Sequence, residues 1–169
     1  MERTGVVSTE TAQALGAVGM AARSSGVDID TRFDFNDKWY TSLDVVKPFK
    51  ATGDVHSRFK LRYKEIKQSM QIVKKLLDKL KEFRNEQILT NPNKTLAPNA
   101  FAISMTEGWR GEIVHIALTG ANGELLRYKM KDPSFNNWYM LAMAVRNNGV
   151  SDFPLCNKSF NLSYCGNDL

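Results

Sequence analysis

At 169 residues, 43% hydrophobic and 24% charged, the chain has the size and balance of one globular domain with a modest core, and no apolar run approaches the roughly 18 to 20 residues that span a bilayer. The opening Met1-Glu2-Arg3-Thr4-Gly5 lacks the apolar stretch of a signal peptide, so a cytoplasmic or membrane-peripheral setting is expected. The net charge of +5 gathers between Lys60 and Arg84 beside an apolar stripe, which reads as a solvated helix face; with no aromatic-basic signature, nucleic acid is not an expected partner.

In chain order, residues 8–23 predict a helix capped by Ser8, with Ala12, Leu15, Val18 and Ala22 at helical spacing and Ser24-Ser25-Gly26 ending it. Residues 27–50 read as a long irregular stretch rich in Asp and aromatics. The strongest pattern runs from Asp54 to Leu80, where Val55, Phe59, Tyr63, Ile66, Met70, Val73, Leu77 and Leu80 recur every three or four residues. This spacing predicts a helix of roughly 40 Å with one apolar face, lysines opposite, and Asp54 as its cap. Residues 90–99, with Asn91-Pro92-Asn93 and Ala97-Pro98-Asn99, read as a loop.

Strands follow at 100–105, 112–118 and 125–130, with Asn122-Gly123 as a tight turn. Pro133-Ser134 opens a helix to about Asn147, with Trp138, Leu141, Ala142 and Val145 inward and Phe135 also in the core. Ser151 to Leu169 reads as irregular. The expected fold class is α+β, mainly α: long helices packed with a small antiparallel sheet, its hairpin near 112–130, in a single domain over 1–169.

Chemistry is not self-evident in these residues. No phosphate loop, nucleophile elbow, His-Glu-x-x-His helix or dinucleotide fingerprint is present in the sequence. Cys156 and Cys165, nine apart, lack zinc-ligand spacing, and His56 and His115 lie far apart in sequence, so no metal ligand set is expected. His115, on one face of a strand, reads as structural.

Four segments together resemble one family. Gly53-Asp54-Val55-His56-Ser57-Arg58, followed by Arg62, Glu65 and Gln68, is similar to the start of a long helix in the D subunit of NADH:quinone oxidoreductase and in formate-hydrogenlyase-type large subunits. Glu107-Gly108-Trp109-Arg110-Gly111-Glu112 resembles that family's Glu-Ala-Pro-Arg-Gly-Glu. Lys131-Asp132-Pro133-Ser134-Phe135 resembles its Arg-x-Pro-Ser-Phe. The fourth segment, Thr4-Gly5-Val6-Val7-Ser8 with Arg23-Ser24-Ser25-Gly26-Val27-Asp28, resembles its N-terminal elements.

The resemblance is thus to the superfamily of the NiFe-hydrogenase large subunit and the NADH:quinone oxidoreductase D subunit. It implies the C-terminal part of the hydrogenase large-subunit fold, with the N-terminal half of the subunit absent from this chain. It also implies a role in electron transfer at a pocket beside an iron–sulfur cluster, within a membrane-associated respiratory or energy-converting complex. The alternatives are a quinone-binding D subunit of NADH dehydrogenase, a NiFe hydrogenase large subunit, or a non-catalytic assembly module.

The implied partners are the missing half, an iron–sulfur small subunit, a protein like the C subunit of NADH:quinone oxidoreductase, and membrane antiporter-like subunits. The implied location is the inner face of the cytoplasmic membrane. The family's nickel-binding tail ends in Asp-Pro-Cys-x-x-Cys, whereas here Ser163 and Gly166 stand at the cysteine positions. Hydroxyl and hydrogen are poor substitutes for soft thiolates, so a NiFe centre is not expected at this end. Quinone or a neighbouring iron–sulfur cluster belongs to the intact complex, with no cofactor held by this chain alone.

Arg110 carries the strongest site expectation, as a fixed charge near the redox centre. Its alternative is a salt bridge to Glu107 or Glu112. Asp54 and Glu107 join it as catalytic candidates, although Asp54 and Arg58 also read as a helix cap and a packing pair. Asn161, Ser163, Gly166 and Asp168 are candidate cofactor-binding positions near the pocket.

Overall fold

The computed structural model describes residues 1–35, 40, 42–83 and 95–165. Its helices are α1 (Thr9–Ala14), α2 (Gly19–Ser24), α3 (Thr31–Asp34), α4 (Val55–Leu80), α5 (Pro133–Ala144) and α6 (Phe153–Phe160). Its strands are β1 (Phe101–Gly108), β2 (Gly111–Thr119) and β3 (Leu125–Lys131), an antiparallel sheet in the order β1-β2-β3. The α+β class expected from the sequence is the observed one. The core is small and rich in alanine: Ala12, Ala17, Ala21 and Ala22 meet Val55, Met140, Leu141, Ala144, Cys156 and Phe160.

The expected helix over 8–23 is two short helices. Ser8 does cap the first, its hydroxyl accepting from the Thr11 N–H. That helix stops because Gly16 takes φ +62°, letting the Ala17 N–H reach the Ala12 carbonyl at 2.9 Å and the Gly16 N–H reach Gln13 at 3.0 Å, a Schellman ending. Helix α2 ends the same way at Gly26, with the Val27 N–H on the Ala22 carbonyl at 3.1 Å. Within the stretch expected to be irregular, Asp30 caps the short α3 by accepting from the Arg32 N–H.

Helix α4 forms where its period predicted, with Asp54 accepting the Ser57 N–H at 2.7 Å. Beyond Val55, its apolar stripe does not pack inward. Only Val55, Ser57, Arg58 and Leu61 are buried, whereas Met70 is 70% and Leu77 57% exposed. The core-facing side instead carries Arg58, Arg62 and Glu65, whose heads bond to other elements. Periodicity located the helix and its apolar face, and that face is outward because the polar heads on the inward side find partners there.

The sheet is longer than predicted: β1 continues to Gly108, opposite Gly111 in β2. The turn between β2 and β3 spans Gly120 to Glu124 and is closed by the Gly120 N–H on the Glu124 carbonyl at 2.9 Å. Asn122 has no positive φ, so this is not the expected two-residue Asn-Gly turn. Ala142 and Phe135 are exposed rather than in the core, and α5 buries Asn137, Met140, Leu141 and Ala144. The segment after Ser151 is helical in α6, with Pro near its start where the missing N–H costs nothing. The Asn91-Pro92-Asn93 part of the predicted loop lies outside the described residues.

Candidate functional site

The β1–β2 turn carries Trp109 and Arg110, and a contact between two glycines fixes its position. Gly19, φ +64°, starts α2; Gly111, φ +136°, starts β2. A Cβ built on Gly19 would lie 2.1 Å from the Gly111 Cα, so only hydrogen fits between the two backbones. The buried Asn137 locks this contact. Its Oδ1 accepts the Val18 N–H at 3.1 Å, and its Nδ2 donates to the Val18 carbonyl at 3.2 Å and the Arg110 carbonyl at 3.3 Å.

Arg110 reaches from this turn to the end of α6, its Nε donating to the Asn161 carbonyl. Arg62 approaches the same helix end, with Nη2 donating to the Ser159 carbonyl at 2.8 Å and its Cζ 5.7 Å from the Trp109 ring centre. Asn161 is the C-cap, at φ 55° and ψ 46°. Two guanidinium groups thus satisfy carbonyls left free where the helix stops, at the negative end of its dipole. Ser163 follows, its N–H donating to the buried Ser134 hydroxyl at 2.9 Å, which ties the third family-like segment to the tail. Arg110, Asn161 and Ser163 are therefore brought to one place, while Gly166 and Asp168 lie outside the described residues.

Asp54 and Glu107 stand elsewhere. Asp54 caps α4 and also accepts the Arg3 N–H at 3.1 Å. Burial opposes its charge, but the Ser57 and Arg3 N–H groups outweigh that and hold its pKa below the usual carboxylate value. Glu107 does not pair with Arg110. It lies 2.9 Å from Arg23 Nη1 and accepts the Thr31 N–H at 3.2 Å, while Glu112 faces Lys131 at 3.4 Å.

The centre of charge missed by the sequence reading is Arg23. Its head is buried and meets Glu65 at 2.6 Å, Glu107 at 2.9 Å and Asp30 at 3.2 Å, and Arg32 forks onto Asp30 at 2.9 and 2.6 Å. Burial alone would lower the Arg23 pKa, but Glu107, Glu65 and Asp30 together raise it. A signal was available: Arg23 sits on an otherwise small and apolar helix, where an arginine needs a dedicated partner. Arg58 is the contrasting case. It is fully buried against the Phe160 ring, 4.2 Å from Cζ to the ring centre, and donates to Ser159 Oγ and the carbonyls of Gly53 and Gly5 at 2.8 to 2.9 Å. Burial pushes its pKa down to about 10. His115 Nδ1 lies 2.5 Å from the Tyr128 hydroxyl.

The described thiols do not fit a thiolate-held nickel–iron centre. Cys156 is buried in the core cluster beneath Gly5, where a Cβ would lie 2.7 Å from its Sγ, and burial raises its pKa. Cys165 is exposed. No helix among the described residues is long and apolar enough to cross a membrane.

With this geometry established, the chain can be set beside known proteins. The family described as "Respiratory-chain NADH dehydrogenase, 49 Kd subunit" matches residues 1–105. Formate hydrogenlyase subunit 5 of Escherichia coli (strain K12) is 31% identical over 164 residues, covering 97% of this chain and 28% of that protein. The NADH-quinone oxidoreductase D subunit of Syntrophobacter fumaroxidans is 27% identical over 150 residues, covering 88% of this chain and 39% of that one. The chain therefore spans well under half the length of these relatives.

A chain in the structure of the membrane-bound sulfane sulfur reductase, an archaeal respiratory membrane complex, superposes with a TM-score of 0.85 at 22% identity. The match covers 99% of this chain and 46% of that one, and it shows the shared fold. The four family-like segments, their order along the chain and the family match agree: the chain belongs to the family of the 49 Kd subunit of the respiratory-chain NADH dehydrogenase.

Proposed function

We propose that this chain is the C-terminal part of the large component, of the 49 Kd type, in a membrane-associated respiratory or energy-converting oxidoreductase complex, with the hydrogenase large-subunit fold. In this reading it takes part in electron transfer at a pocket beside an iron–sulfur cluster. The observation that carries the reading is the fixed placement of Arg110: a two-residue turn, a glycine–glycine backbone contact and a buried asparagine hold one guanidinium against Asn161, in the tail that the resemblance aligns with the nickel-binding end of hydrogenase large subunits. A cation held this rigidly stabilises negative charge developing at an adjacent redox centre without reorganising. Asn161 and Ser163 shape the same corner.

The electron carrier next to it, a quinone or an iron–sulfur cluster, is contributed by the intact complex. The exposed apolar stripe of α4 is the face expected to be covered by the rest of the subunit or by neighbours. Those neighbours are an iron–sulfur small subunit, a protein like the C subunit of NADH:quinone oxidoreductase, and antiporter-like membrane subunits, at the inner face of the cytoplasmic membrane.

The test is Arg110→Ala, with Arg110→Lys beside it, in the purified complex. If the guanidinium acts on the redox step, turnover falls about tenfold or more on loss of one preorganised charge, while subunit composition stays normal. Assays of quinone reduction and hydrogen evolution on the same complex separate a quinone reductase from a hydrogenase. The second reading is a non-catalytic assembly module, favoured by the structural use of Asp54 and Glu107. It predicts unchanged turnover in both Arg110 variants.

A further inference from the structure

Arg62 and Arg110 hold carbonyls at the same helix end, and neither forms an ion pair among the described residues. Glu65, the carboxylate nearest Arg62 in the chain, is taken by Arg23 at 2.6 Å. Burial lowers the pKa of Arg62, and the positive charge of Arg110 adds to that, against Glu65. Arg62 Nε is buried with no hydrogen-bond partner among the described residues. Two neighbouring cations with no ion-pair partner among the described residues favour an anion beside them.

A cavity of about 290 Å³ opens beside Arg62. Val55, Phe59 and Leu155 give it apolar walls, Arg62 and Lys158 give it positive charge, and among the described residues no Asp or Glu lines it. Lys158 forms no ion pair among the described residues. The cavity is near the lower end of the range for small-molecule sites, which suits a ligand with one short hydrocarbon chain. Burying that body against the three apolar side chains favours an amphiphile over a bare ion.

We propose that this cavity binds a small amphiphile with an oxyanion head, the head on Arg62 and Lys158 and the body against Val55, Phe59 and Leu155. The site stands on the cavity and its charges and holds whether or not Arg110 acts in redox chemistry.

The probe is octanoate, titrated calorimetrically into the 169-residue chain beside octanol and inorganic phosphate. Saturable 1:1 binding of octanoate is expected, weakened about tenfold in Lys158→Gln and in Arg62→Gln, the loss of one charge-assisted contact. Lys158 is exposed, so its variant keeps the test valid should Arg62→Gln loosen the helix end; circular dichroism checks both. Octanol binding as tightly as octanoate would overturn the anionic head. Phosphate binding as tightly would overturn the apolar body, and octanoate binding unchanged in Lys158→Gln would overturn the site.

Discussion

Arg23 and Arg58 are both buried arginines of family-like segments, and they are kept charged by different means. Three carboxylates surround Arg23, whereas Arg58 rests on two carbonyls, a hydroxyl and a ring face. At this scale the titratable residue with the clearest consequence is Asp54. Its pKa lies below the ordinary value in the folded chain, so it contributes stability that is present above its unfolded pKa and lost as pH falls through the folded one. That window opens at about pH 4 and extends downward. Asparagine is as good an N-cap as aspartate, so Asp54→Asn should keep α4 intact near neutral pH. Urea midpoints measured from pH 6 to pH 2 should then fall less steeply in the variant than in the parent. Parallel slopes would mean that the carboxylate contributes nothing through its charge.

Among elements, the β1–β2 hairpin depends most on a single atom's absence. Gly19→Ala places a methyl group 2.1 Å from the Gly111 Cα, at a backbone φ of +64° that side chains rarely adopt. The backbone strain alone is about 1 to 3 kcal/mol, and separating the turn from α2 also breaks the Asn137 bridge to the Arg110 carbonyl. Thermal denaturation should show a lowered midpoint, and the environment of Trp109, which stands next to Arg110, should change in its fluorescence. Gly149→Ala serves as the contrast: its φ is −66° and the nearest atom to an added Cβ is a side-chain oxygen at 3.3 Å. A Gly19→Ala variant as stable as Gly149→Ala would remove the backbone contact as the device that aims Arg110.

Over the whole molecule, packing is concentrated where α1, α2, α5 and α6 meet the first two turns of α4. Beyond Leu61 no residue of α4 is buried, and polar ties such as Lys75 Nζ to the Leu43 carbonyl at 3.2 Å hold its remaining length. Hydrogen exchange should show strong protection from Arg58 to about Glu65 and a decline toward Leu80; uniform protection along the helix would mean that its outer half is packed in solution. How far the fold and site are legible in the sequence follows the same division. Local physics wrote α4, its Asp54 cap, the three strands and the opening of α5 into spacing and composition, because caps, alternation and helical period act over a few residues. The resemblance of four short segments named the family and pointed to Arg110.

The inward turn of Arg58, Arg62 and Glu65 and the diversion of Glu107 to Arg23 depended on partners about 40 to 100 positions away in the chain. No local pattern encodes such pairings. The tertiary structure alone decided which polar residues would be inside, since a buried charge is stable only once its distant partners have arrived.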